Sequence, residues 1–239
     1  MTKLRPSERM LIIGKTQSGK STLATQLAGG WSRVLVYDPK HDPGAVPPGA
    51  TVRYGVASAL AALPGRVVYR PLPREQGRVA EHFDLLVQRV LASGGAHGIV
   101  IHELRDVSPS SGSGTFLSAA YRQGASQRVP MILCTQRPVW IDVSAVSEAE
   151  HFALFQLQFP SDLTLVSKLF ALDPAALSVD KPAYHFHHRG PDGVVRLMPP
   201  IRLRPAAVEL DPTDESSDGD GTRQPDRRRT PHLWNARRR

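Results

Sequence analysis

Residues 10–28 read MLIIGKTQSGKSTLATQLA, and this stretch decides the fold. Met10 to Ile13 form a short apolar run of the kind a buried strand uses, and Thr22 to Ala28 continue as a helix. Between them Gly14 to Ser21, GKTQSGKS, fits the pattern G-x-x-x-x-G-K-[ST] in the strand–loop–helix setting the pattern requires. The glycines let the backbone wrap a polyphosphate with the N–H groups of Gly14, Lys15, Thr16, Gln17, Ser18, Gly19, Lys20, Ser21 and Thr22. Lys20 reaches the β/γ-phosphates, Ser21 offers its hydroxyl to Mg²⁺, and the helix N-terminus adds a favourable dipole. ATP and Mg²⁺ are therefore the expected ligands; the competing reading is a Gly/Ser turn that binds nothing.

The same alternation runs outward along the chain. RVLVYD, GRVVYRP, GIVIHEL, PMILCTQ and FALFQLQF read as strands, with helices at EQGRVAEHFDLLVQRVL, at about Gly114–Gln123 and at SDLTLVSKLFAL. Continuous apolar strands separated by helices predict an α/β fold, a mainly parallel sheet flanked by helices on both faces. The Pro- and Gly-rich stretch from Pro39 to Pro64 reads as a long connection or insertion.

Composition excludes several classes. No run approaches the ~18 apolar residues of a membrane span, and MTKLRPSERMLIIG is too short and too quickly ended by glycine for a signal peptide. The single cysteine, Cys134, excludes an internal disulfide and a multi-cysteine zinc site and suits a reducing compartment, so a cytoplasmic protein is expected. Thirty Lys and Arg against 22 Asp and Glu give a formal charge of +8. The tail splits into an acidic block, −6 between Pro205 and Thr222, and a basic block, +6 from Arg223 to Arg239. These cancel, so the positive charge belongs to residues 1–204 and suits a polyanionic partner. The expected organisation is a motor-sized domain over residues 1–205 and a disordered acidic-then-basic tail over 206–239, too poor in apolar residues to offset ordering entropy.

A hydrolase built on such a loop needs a second strand that ends in carboxylates. Ile99-Val100-Ile101 ends in His102-Glu103. Glu103 takes the catalytic-base position, and His102 stands on the metal side where Asp is usual. A neutral imidazole accepts a hydrogen bond from a metal-bound water but a protonated one repels Mg²⁺, so unusual pH sensitivity is expected, with Asp106 as a source of the missing charge. If Glu103 is only a solvated loop acid, the chain is a weak or dead hydrolase. HFHHRG, with His185, His187 and His188, reads as a basic edge strand or hairpin rather than a metal cluster, and Cys134 as a small core residue.

Three segments carry a family resemblance: Asp38-Pro39-Lys40 after the second strand, the apolar strand ending in His102-Glu103, and AYRQGASQRVPMILCTQRP with its terminal Thr135-Gln136-Arg137-Pro138. Over about Met10 to Pro138 the chain resembles the FtsK/HerA superfamily of DNA-pumping ATPases, additional-strand P-loop NTPases of RecA-like type. The resemblance implies that Gln136 senses the γ-phosphate from a strand inserted between the phosphate-binding and acidic strands. It implies that Arg122 is presented to the neighbouring subunit's nucleotide, with Arg128 or Arg137 as alternatives. With no room for additional domains, the chain looks like the minimal motors that package the genomes of tailless, internal-membrane viruses. The implied partners are double-stranded DNA gripped without base reading, further copies in a homo-oligomeric ring, and capsid vertex proteins; the implied location is the host cytoplasm and the virion. Arg66, Arg70, Arg74, Arg78 and Arg89 are the basic residues available to line a central channel. A conjugation or plasmid-mobilisation motor of the same fold stays open, as does a non-motor partitioning switch. Lys15 would then be the extra lysine of a deviant loop, although Thr16 and Gln17 stand where that loop has glycines.

Overall fold

The computed structural model describes residues 4–171, 173 and 183–201; the expected tail over 206–239 lies outside them. Nine strands form one sheet: β1 (Arg9–Ile13), β2 (Val34–Tyr37), β3 (Thr51–Tyr54), β4 (Arg66–Arg70), β5 (Gly98–Ile101), β6 (Met131–Thr135), β7 (His151–Leu154), β8 (Phe186–Arg189) and β9 (Val195–Met198). Their spatial order is β3-β4-β2-β5-β6-β1-β7-β8-β9. The first seven positions are parallel, and β8 and β9 close the sheet as an antiparallel hairpin against β7. HFHHRG therefore does form a hairpin strand, with β9 rather than β8 at the edge.

The two faces of the sheet differ in cover. Period-2 alternation sends Leu11, Ile13, Leu35, Tyr37, Val67, Tyr69, Ile99, Ile101, Met131 and Leu133 to one side. Helices α2 (Val56–Ala62), α3 (Val79–Ala92), α4 (Leu104–Val107), α5 (Thr115–Gln127), α6 (Val143–Ser147) and α7 (Pro160–Phe170) contribute buried or partly buried residues to this side. Phe83 of α3 packs 5.3 Å from Tyr37, centroid to centroid. The other side, with Met10, Ile12, Val34, Val36, Val68, Val100, Ile132 and Cys134, is covered by α1 (Lys20–Ala28) through Leu23, Ala24, Leu27 and Ala28. Helices thus lie on both faces, as expected, but six elements cover one and α1 the other. Cys134 is fully buried there, and burial pushes its thiol up to about 12, which makes it an inert core residue.

The stretch from Pro39 to Pro64 is more ordered than its composition suggests. It holds a single 3₁₀ turn at Pro43–Ala45, then β3 and α2, so it adds an edge strand instead of a bare loop. β3 is mostly exposed, with the burial pattern of an edge strand, which is why its apolar content is too low to read. The helix expected from Glu75 begins as a 3₁₀ turn, Pro73–Arg78, and becomes α-helical only at Val79.

His97, fully buried just before β5, has its imidazole pushed down to about 4 by burial and by the nearby Arg33 guanidinium. Its folded value lies below the usual 6.5, so the unfolded chain binds more protons between those values. Stability is therefore complete above about pH 6.5 and falls as the pH drops toward 4. Urea melts should show about 3 kcal/mol less stability at pH 4 than at pH 7 from this residue, and His97→Leu should flatten that part of the profile.

Candidate functional site

The site lies where four neighbouring strands, β2, β5, β6 and β1, present their carboxyl ends, the usual place for a ligand in an open parallel sheet. Backbone hydrogen bonds extend the ladder past the strands: Asp38 N–H to Tyr69 O at 3.0 Å, His102 N–H to Tyr37 O at 3.1 Å, Gly14 N–H to Thr135 O at 3.2 Å and Phe155 N–H to Ile13 O at 2.8 Å. A cavity of about 430 Å³ results, lined by Thr16, Gln17, Gly19, Lys20, Ser21, Thr22, Asp38, Lys40, Asp42, His102, Glu103, Gln136 and Tyr184.

The loop conformation follows from its glycines. Gly19, at φ +105°, precedes α1 in a region that side-chain-bearing residues rarely enter. At Gly14, an added Cβ would stand 2.6 Å from Phe155 Cβ, so only glycine lets the loop pass over β7. Lys20 is buried and donates from Nζ to the Lys15 carbonyl at 2.7 Å. Burial lowers its pKa, partly offset by the Glu103 carboxylate, so a polyphosphate would supply compensation its ammonium lacks. Lys15 and Ser18 face a smaller adjoining cavity with Gln17, and the buried Ser18 hydroxyl has no hydrogen-bond partner among the described residues.

The inserted strand is β6, between β1 and β5. From its end Gln136 spans the site: its Oε1 accepts from the Thr16 hydroxyl at 2.8 Å, and its Nε2 donates to Glu103 Oε1 at 2.9 Å. Lys40 of the Asp-Pro-Lys segment completes the chain, with Nζ 2.5 Å from the same Glu103 oxygen. Thr16, Gln136, Glu103 and Lys40 thus form one hydrogen-bonded line across the cavity. Asp38 is fully buried and paired with Arg70 at 2.9 Å, which removes Arg70 from the set of channel candidates. Arg66 is withdrawn too, since it is half-buried and its guanidinium donates to the Trp31 carbonyl.

His102 is buried beside these acids, and burial lowers its pKa, with Asp38, Asp42 and Glu103 opposing. Its imidazole is held neutral at pH 7, so the expected repulsion of Mg²⁺ does not arise there. The expected compensation by Asp106 is not found: Asp106 accepts from the Tyr37 hydroxyl at 3.2 Å and is not among the cavity's lining residues. Asp38 and Asp42 stand there in its place. The Ser21 hydroxyl and these carboxylates are hard oxygen donors in one cavity, a set that fits Mg²⁺.

The arginines separate clearly. Arg137 is spent within the chain: Nε lies 2.7 Å from the buried Asp162 carboxylate, and the guanidinium stacks on Trp140 at 3.9 Å and Phe159 at 4.0 Å. Arg122 and Arg128 are exposed, on α5 and at its C-terminal cap, and neither lines the cavity. The structure adds Asp42, Lys40 and Tyr184 to the residues expected from sequence. For Lys40 the signal was its place after β2, the strand beside β5; for Tyr184, 165 residues beyond Gly19, none was available.

No family model matches the chain. Over 117 residues, 46% of the chain, it is 29% identical to the DNA packaging ATPase P9 of enterobacteria phage PRD1, and the match spans 45% of that relative's length. Among solved structures it is similar to the genome packaging NTPase B204 of Sulfolobus turreted icosahedral virus 2 in complex with ATPγS, with a TM-score of 0.66 at 16% identity over 83% of this chain and all of that one. VirB4 of Thermoanaerobacter pseudethanolicus gives a TM-score of 0.61 at 11% identity, over 82% of this chain and 90% of that one. These structures share the fold, a mostly parallel sheet with flanking helices in the manner of P-loop NTPases. The resemblance to FtsK/HerA-type ATPases, and within them to viral genome-packaging ATPases, is thereby borne out.

Proposed function

We propose that the chain is an ATP-driven motor that moves double-stranded DNA and packages a viral genome into a preformed capsid. The observation that carries this reading is the hydrogen-bonded line from Thr16 through Gln136 to Glu103, in a chain whose sequence is similar to a phage packaging ATPase. The fold alone would serve a conjugation motor equally, but the sequence match favours packaging over mobilisation or a partitioning switch.

In this reading the loop N–H groups and Lys20 hold the triphosphate, Lys20 leaving the Lys15 carbonyl for the β/γ-phosphates. Glu103 takes the proton of the attacking water, and Gln136, hydrogen-bonded to it, reports whether the γ-phosphate is present. Lys40 must loosen its hold on Glu103 for the carboxylate to act as a base. Ser21 and the neighbouring carboxylates of Asp38 and Asp42 would hold Mg²⁺, which neutralises phosphate charge when bound. Arg122, exposed on α5, is the arginine offered to a neighbouring subunit's nucleotide in a homo-oligomeric ring, with Arg128 as the alternative. Arg74, Arg78 and Arg89 are the exposed members of the basic set, available to the phosphate backbone. Capsid vertex proteins are the expected dock, and the protein acts in the host cytoplasm and at the virion; no helix among the described residues is long and apolar enough to cross a membrane.

Translocation is read directly by displacement of a triplex-forming strand from duplex DNA: ATP-dependent displacement is expected, and its absence with active ATPase would contradict the motor. Lys20→Ala should weaken ATP binding roughly 100-fold. Glu103→Gln should keep binding intact and lower kcat by about 10²–10⁴-fold in a steady-state assay. Arg122→Ala should lose turnover alone and regain part of it when mixed with Lys20→Ala subunits, which still supply their own arginine; unchanged activity on mixing would exclude a finger in trans.

A further inference from the structure

A second cavity, of about 330 Å³, adjoins the phosphate loop and is lined by Gly19, Thr22, Phe155, Tyr184, Pro200 and Ile201. Gly19, Thr22 and Tyr184 also line the cavity that holds Lys20 and Glu103, so the two spaces adjoin at the start of α1. A triphosphate seated on the loop would have its sugar and base directed into some neighbouring space, and this is the apolar one. We propose that this cavity takes the nucleobase against the exposed ring of Tyr184, with the buried Phe155 as its apolar floor, without reading its hydrogen-bonding edge, so that the chain accepts purine and pyrimidine nucleoside triphosphates alike. The inference rests on the polyphosphate reading of Gly14–Ser21 and adds the identity of the base to it.

The two aromatic walls differ in a way that suits the task. Phe155 is buried, 2% exposed, and fixed against Phe186 with ring centroids 4.9 Å apart. An added Cβ at Gly19 would meet its ring at 3.2 Å and the Tyr184 ring at 3.5 Å, so both aromatics stand directly over the loop. Tyr184 is 58% exposed, and its backbone sits at φ +63°, a left-handed conformation rare for an aromatic residue. Backbone outliers of this kind gather at ligand clamps. An exposed ring held in a costly conformation above a phosphate loop is a surface for stacking.

Selectivity follows from what lines the cavity. Among the described residues its polar side-chain groups are the hydroxyls of Thr22 and Tyr184, each both donor and acceptor. Neither can prefer an amino edge over a carbonyl edge. Strong discrimination needs a group that hydrogen-bonds one ligand and is left unpaired by another, whereas an apolar wall separates similar ligands only weakly. Stacking tolerates every base, because each has a π-face.

The test is equilibrium binding of ATP, GTP, CTP, UTP and inorganic tripolyphosphate to the full chain and to its Tyr184→Ala, Tyr184→Trp and Lys20→Ala variants. The four nucleotides should bind within about tenfold of one another. Tyr184→Ala should weaken all four by roughly tenfold and leave tripolyphosphate unchanged, and Tyr184→Trp should restore them. A preference for one base beyond about tenfold overturns the claim of edge-blind binding. Equal loss of nucleotide and tripolyphosphate in Tyr184→Ala, or no loss of either, overturns the stacking role. Failure of tripolyphosphate and nucleotides alike to bind in a Lys20-dependent way would instead overturn the phosphate-loop reading, and the base site with it.

Discussion

The hydrogen bonds that run from Thr16 through Gln136 to Glu103, and from Glu103 to Lys40, close only because β6 lies between β1 and β5. Each strand contributes one polar group at its carboxyl end, and the parallel register fixes how far apart those groups stand. Met10 pairs with Ile132 and Ile99 with Met131, so the loop after β1, Gln136 and Glu103 arrive at the same height. Moving any of the three strands by one residue would turn its buried side chains to the wrong face and break this alignment, which couples the core's packing to the site's geometry.

The same ladder explains the electrostatics. Fully parallel strands bury both faces, so the first residues beyond them, Asp38 and His102, inherit a dry environment. Asp38 tolerates burial by pairing with Arg70, while His102 tolerates it by remaining neutral. An imidazole where an acid is usual is then compatible with a cation nearby, because Asp42 brings a carboxylate to the same cavity from the adjacent β2 side. On the other flank Arg137 ties the end of β6 to Asp162 of α7 through a buried ion pair. Removing one member of such a pair strands a charge in the interior, so Arg137 holds the exit of β6 in place and is not free for a neighbouring subunit.

Much of this was legible in the sequence, and the limits have physical causes. The apolar runs ending in GKTQSGKS, HE and TQRP are strands buried on both faces, whose continuous hydrophobicity cannot be mistaken for loop, and each places a polar group directly after its last buried residue. β3 escaped notice because an exposed edge strand needs little apolar content. Asp106 looked suitable from its distance to Glu103 along the chain, yet the turn into α4 points it at Tyr37. Arg66 and Arg70 looked like surface charges, and their burial depends on Trp31 and Asp38, contacts that no local pattern encodes. Tyr184 belongs to the same class: its position over Gly19 is a product of β8 returning antiparallel to β7, a long-range event.

In the proposed function the joined Glu103–Gln136 constellation hydrolyses ATP in the service of moving DNA. That role is tested most directly by steady-state, Mg²⁺-dependent ATP turnover of the purified chain with and without double-stranded DNA across a range of salt concentrations. DNA should stimulate turnover regardless of its sequence, and salt should progressively abolish the stimulation, since phosphate contacts release counterions. ATP binding with turnover indifferent to DNA at every salt concentration would contradict it.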